Sequence, residues 1–123
     1  MKKNKISKNW INKQRRDIYV RRSKVEGYRS RAVYKLQEID QKFRIFKNGM
    51  SIIDLGAAPG SWSQYALKNV KNGKIVSIDF KDFEKIGNIH QIKGDFTDDR
   101  YKKEIVDYFG VKVDVVLSDL AVN

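Results

Sequence analysis

Cysteine is missing from the 123 residues. Disulfides and zinc–thiolate sites are therefore excluded, and the absence suits a reducing cytoplasm, the expected location. Histidine occurs once, at His90. With no second imidazole it supports neither a metal site nor a nucleophilic triad, and it reads as an ordinary strand residue; no metal is expected. No apolar run approaches the ~20 residues that cross a bilayer. The start, Met1-Lys2-Lys3-Asn4-Lys5, has the charge of a signal peptide, but no apolar core follows, so no secretory signal and no membrane partner are expected. Internal repeats are also lacking.

What is present is a small globular chain. A hydrophobic share of 41% beside 33% charged residues separates it from disordered sequences, and the length fits one small domain. The net charge of +11 is unevenly spread. Residues 1–48 hold 16 of the 26 Lys/Arg and 4 of the 15 Asp/Glu, a net +12, whereas residues 49–123 carry a net −1. An excess confined to the first two fifths implies a basic face for a polyanion, most often nucleic acid. For residues 1–8 alone, a solvated, frayed basic arm is the simpler reading.

The spacing of apolar residues predicts a helix over 9–24, broken at Gly27. A second helix is expected from Arg31 to about Phe43, capped by Ser30, with Ala32, Val33, Leu36 and Ile39 as its apolar stripe. After the Asn48-Gly49 turn the pattern alternates. Strands are predicted at Ser51–Leu55, Lys74–Ile78, Ile89–Lys93 and Val113–Leu117. Helices are expected at Ser61–Lys71 and from a cap at Thr97 or Asp98 to about Phe109. Strands that barely alternate, separated by helices, indicate a parallel sheet covered on both faces. The fold class is α/β, doubly wound and Rossmann-like, with the ligand at the carboxyl ends of the strands. The sequence stops just after the fourth strand, which leaves Val113, Val115 and Val116 on a bare edge and makes aggregation an expected hazard.

The informative stretch is Asp54-Leu55-Gly56-Ala57-Ala58-Pro59-Gly60, a strand entering a turn of very small residues before a helix. Gly56 and Gly60 permit positive φ or a close ligand approach, and Pro59 stiffens the loop. A nicotinamide or flavin site would want G-x-G-x-x-G, whose middle glycine is missing, and a P-loop would end in Gly-Lys-Ser/Thr. The spacing D-x-G-x-x-P-G instead resembles the first motif of S-adenosylmethionine methyltransferases; an ordinary tight strand–helix turn is the alternative. Asp79 ends the next strand, 23 residues after Gly56, where a nucleoside ribose is gripped by its hydroxyls. Asp95 and Asp119 end the third and fourth strands. Each such Asp is by itself a common turn or capping residue, but Asp54, Asp79, Asp95 and Asp119 together would ring one crevice.

Taken in order, the motifs resemble one family. Asp54–Tyr65, DLGAAPGSWSQY, is similar to the signature of the FtsJ-type ribose 2'-O-methyltransferases of large-subunit ribosomal RNA. Arg29–Leu36, RSRAVYKL, resembles a helix of that family, and Gln91–Phe96 and Leu117–Asn123 resemble its later strand ends. The resemblance covers roughly residues 17–123. It implies S-adenosyl-L-methionine as cofactor, contacted at Gly56, Gly60, Trp62, Asp79, Asp95 and Asp119. It implies ribosomal RNA, within the large subunit, as partner, with a ribose, a uridine, as the methylated group. Lys35 and Asp119 match the first lysine and the aspartate of the family's Lys-Asp-Lys-Glu catalytic set. Trp62 is equally suited to packing between helix and sheet, and Lys35 to a solvated helix surface, although its place at the margin of the apolar stripe would let part of its stem be buried.

The sequence also departs from the family. The family's sheet has seven strands and four are expected here. The second lysine and the glutamate have no counterpart, and the family's Ala-Pro-Asn reads Ala121-Val122-Asn123. The resemblance divides the chain into 1–48, a basic helical extension carrying RNA-binding residues and Lys35, and 49–123, the first half of the methyltransferase domain. Two functions stay open: a methyl-transferring enzyme, or an inactive fragment of one that binds RNA or cofactor.

Overall fold

Turns and caps set most of the boundaries between elements. The computed structural model describes residues 2–110 and 112–119, with side chains from residue 8 onward; the Ala121-Val122-Asn123 segment lies outside the described residues. The elements are α1 (Lys2–Glu26), α2 (Val33–Phe43), β1 (Ser51–Leu55), α3 (Ser61–Asn69), β2 (Lys74–Asp79), β3 (His90–Lys93), α4 (Asp99–Phe109) and β4 (Val115–Ser118).

α1 differs from its expected form. It is a 25-residue helix from Lys2, so the segment expected as a frayed arm continues the helix. It closes at Gly27, where φ is +81° and the Tyr28 N–H donates to the Ser23 carbonyl at 2.9 Å, the six-to-one bond of a Schellman end. Trp10, Ile11 and Ile18 on this helix are exposed, so it presents no apolar stripe to the core. The next helix starts later than expected, at Val33, with Ala32 at the cap position and no side-chain cap. Ser30 does not cap it because its hydroxyl is engaged elsewhere, 2.8 Å from the Ser61 hydroxyl. α4 is capped by Asp98, whose carboxylate accepts from the Arg100 N–H, rather than by Thr97.

All four strands are parallel, in the order β3-β2-β1-β4. β2 is buried on both faces, as a strand covered by helices on each side must be. One face packs against α2 and α3 through Val33, Leu36, Ile52, Trp62, Tyr65 and Ala66. The other packs Val76, Ile78 and Ile92 against Ile105 and Phe109 of α4. The chain winds from β1 out to β3, then returns to the other side of β1 with β4. That reversal opens a crevice beyond the carboxyl ends of β1 and β4, where doubly wound sheets bind ligands. β4 begins two residues later than expected: Val113 is exposed and outside the ladder, while Val116 is 59% exposed on the sheet edge.

Candidate active site

The loop from Gly56 to Gly60 is held from three directions. The N–H groups of Gly56 and Ala57 both donate to the Ile78 carbonyl, at 2.9 and 3.1 Å, which seats the loop on the end of β2. Asp79 holds the next residue, accepting from the Ala58 N–H on one carboxylate oxygen at 2.9 Å and from the Lys81 N–H on the other at 2.8 Å. Arg29 closes the third side. Its guanidinium donates to the carbonyls of Pro59 at 3.0 Å, Glu84 at 2.6 Å and Lys85 at 2.9 Å, using the planar fork that lysine lacks. Gly60 has φ +117°, and a Cβ there would sit 2.6 Å from Ile86 Cδ1 and 3.1 Å from Arg29 Nη1. Those two side-chain ends could shift, so it is the left-handed φ that calls for glycine here.

Beneath the loop, Asp54 is almost fully buried. Its carboxylate accepts from the Ser63 hydroxyl at 2.6 Å, and Ser63 in turn meets the Ser77 hydroxyl. Burial pushes the Asp54 carboxyl up to about 6; the Ser63 hydrogen bond opposes the shift, and the negative charges of Asp119 and Asp79 add to it.

Gly56 separates two small clefts. One, about 50 Å³, is lined by Asp54, Gly56, Ala57, Trp62 and Asp119 among others. The second, about 40 Å³, is lined by Gly56, Ile78, Asp79, Phe80, Gly94 and Phe96. A larger cavity of about 570 Å³ lies on the α2 side, lined by Tyr19, Arg31, Tyr34, Lys35, Glu38 and Asp119 among others. Asp119 lines both this cavity and the first cleft. There it meets Lys35, whose Nζ is 3.1 Å from its Oδ1. The Lys35 side chain is 67% exposed, mostly in solvent with the remainder covered.

The structure thus brings together Lys35, Asp119, Gly56, Trp62 and Asp79, but gives several of them structural work as well. Trp62 lines the first cleft and is also a core residue whose indole N–H donates to the Ala32 carbonyl at 2.7 Å. Asp79 organises the loop through both oxygens, and each oxygen keeps a second lone pair for a nucleoside hydroxyl. Asp95 stands between two cleft residues, Gly94 and Phe96; it accepts from the Thr97 N–H and hydroxyl, which hold its carboxyl below the usual range. Asp54 lies under the mouth rather than on its rim. Sequence reasoning missed the Arg29 clamp, whose partners are carbonyls with no residue identity, and the Ser63–Ser77 relay, which depends on strand register.

Comparison with known proteins follows the same lines. Residues 28–123 match the FtsJ-like methyltransferase family. The whole chain is 67% identical to the ribosomal RNA large subunit methyltransferase E of Pelagibacter ubique and covers 61% of it. It is 43% identical, over 125 aligned positions, to the protein of that name from Legionella pneumophila strain Corby, again covering 61%. A crystal structure of a ribosomal RNA methyltransferase from Plasmodium falciparum superimposes with a TM-score of 0.68 at 41% identity, covering 78% of this chain and 58% of that one. The chain therefore spans about three fifths of the length of the curated relatives it matches.

Proposed function

This chain belongs to the FtsJ-like methyltransferase family, and from that premise we propose that it binds S-adenosyl-L-methionine and takes part in 2'-O-methylation of a ribose, a uridine, in large-subunit ribosomal RNA. The observation that carries the reading is Asp119, shared by the cleft at the Gly56–Gly60 loop and the open cavity beside α2. A donor and an acceptor bound in the two spaces would meet at this side chain.

The residue chemistry suits the cofactor, and the two clefts, about 50 and 40 Å³, would widen as it enters. Three carboxylates, Asp54, Asp79 and Asp119, surround Gly56 from the two clefts or their floor, an arrangement suited to a cationic sulfonium. Asp79 would accept a hydrogen bond from its ribose, and Phe80, Gly94 and Phe96 would flank its base. When bound, the cofactor supplies an electrophilic methyl group. Lys35, salt-bridged to Asp119, would hold the acceptor hydroxyl in line with it, the positioning that supplies much of such a rate. The basic residues of 1–48, Arg15, Arg16, Arg21 and Arg31 among them, would track RNA phosphates. The cytoplasmic ribosome is the setting, with the RNA met within its large subunit.

A specific observation also favours the second reading, binding without turnover. Among the described residues, no lysine other than Lys35 lines the large cavity or the first cleft, and a salt-bridged lysine orients a hydroxyl without taking its proton. A positioned general base contributes about 10²–10⁴ in rate. The 123 residues alone should therefore bind S-adenosylhomocysteine in calorimetry. They should also transfer tritiated methyl to undermethylated large subunits at least ~100-fold more slowly than the full-length Pelagibacter relative. Equal rates would remove the argument for a missing base; absence of S-adenosylhomocysteine binding would remove the cofactor assignment.

A further inference from the structure

The 570 Å³ cavity beside Lys35 and Asp119 is much larger than the two clefts and has an aromatic wall. Tyr34 in that wall is fixed on several sides. It is 7% exposed, its hydroxyl donates to Glu26 at 2.9 Å, and Tyr28 meets it edge-on at 6.3 Å. The Arg22 guanidinium lies 4.4 Å from its ring centre. Tyr19, on α1, stacks on this fixed ring with centroids 5.3 Å apart and planes 28° from parallel. Tyr19 remains 41% exposed while lining the cavity, so one ring face is braced and the rest of the ring is open to what enters.

A nucleotide whose ribose enters this cavity to reach Lys35 and Asp119 is drawn away from its neighbours, and an unstacked base loses the stacking energy those neighbours supplied. Proteins that read splayed RNA return that energy through an aromatic ring. We propose that Tyr19, seated on Tyr34, is the stacking platform for the base of the target nucleotide, positioning its ribose at Lys35 and Asp119. The inference rests on the ribose-methyltransferase reading. Arg31, on the same lining, is placed to meet a phosphate of the bound strand.

The test uses the 123-residue chain and two RNA trinucleotides that differ only at the centre, uridine in one and an abasic ribose in the other. Affinities are measured by fluorescence anisotropy across a salt series. The unaltered chain should prefer the uridine form by about five- to a hundredfold, the range of one base–aromatic stack. Tyr19→Ala should abolish the preference while leaving the salt slope and S-adenosylhomocysteine affinity unchanged. Tyr19→Phe, which keeps the ring, should retain it. A preference that survives in Tyr19→Ala, or is lost in Tyr19→Phe, overturns the platform. So does salt-dependent binding with no preference in the unaltered chain, and in all these cases the RNA reading stands. If the unaltered chain binds neither trinucleotide, the RNA reading fails and the platform fails with it.

Discussion

The Ser63 hydroxyl of α3 donates to the buried Asp54 carboxylate of β1 at 2.6 Å, and with that proton committed the Ser77 hydroxyl of β2 is left to donate to Ser63. Three elements are thus tied together directly under the Gly56–Gly60 loop. The arrangement has a definite pH signature. Folded Asp54 holds its proton up to about pH 6, against an ordinary 3.8, so the native state binds more protons than the unfolded chain in that window. The contribution of Asp54 to stability should fall as pH rises from about 4 to 6 and level off above, with a total effect on the order of 3 kcal/mol. Asp54→Asn should flatten that segment of the curve. Ser63→Ala should lower stability by ~1–3 kcal/mol, because it strips a donor from a buried carboxylate. Urea denaturation at pH 4.5 and 7 checks both; the same pH dependence in Asp54→Asn and the unaltered protein would show that another group is responsible.

The loop's anchors should be separable from its ligand contacts. Arg29→Lys keeps the charge but can reach one carbonyl where the guanidinium reaches three. It should cost ~1–3 kcal/mol of stability and speed amide exchange at Gly60 and its neighbours. Asp79→Ala removes two loop acceptors together with the proposed ribose acceptor. It should therefore weaken S-adenosylhomocysteine binding by more than Arg29→Lys does. Calorimetry that ranks the two variants the other way would reassign Asp79 to the loop alone.

The solvated first helix makes an electrostatic prediction. Arg15, Arg16, Arg21 and Lys24 are exposed on α1 and free to follow a phosphate backbone. Replacing Arg15 and Arg16 with Gln should reduce the slope of log affinity for RNA against log salt by about 1–2, close to one per lost phosphate contact. An unchanged slope in filter-binding titrations would assign the charge to solvation only.

Much of this fold is legible in the sequence, because parallel strands buried on both faces are written as short apolar runs between turn residues. The Gly56–Gly60 loop and the four strands follow from spacing alone, while the choice of Asp98 over Thr97 as the α4 cap is made by the hydrogen bond it accepts from the Arg100 N–H. What escapes is decided by competition between distant groups. Ser30 has the residue type of a helix cap, yet Ser61, 31 positions away, takes its hydroxyl. α1 runs on to Lys2 although the apolar spacing that predicts it begins only near residue 9. Lys35 sits at the margin of a stripe, but its partner Asp119 is 84 residues away, a pairing that no local spacing reveals. At the site, residue types point to the Asp79 position but do not reveal that both of its oxygens are already serving the loop.

β4 has four residues, pairs only with β1 within the described sheet, and exposes Val116 to solvent. Asp119 follows immediately after this strand, whereas Gly56 and Asp79 are carried by the two interior strands. The meeting point of the two cavities is therefore placed by the register of β4 on β1, while the loop below it is placed by β1 and β2. A shift of β4 along β1 would move Asp119 away from Lys35 and from the first cleft together, so one strand register sets both the ion pair and the cleft wall.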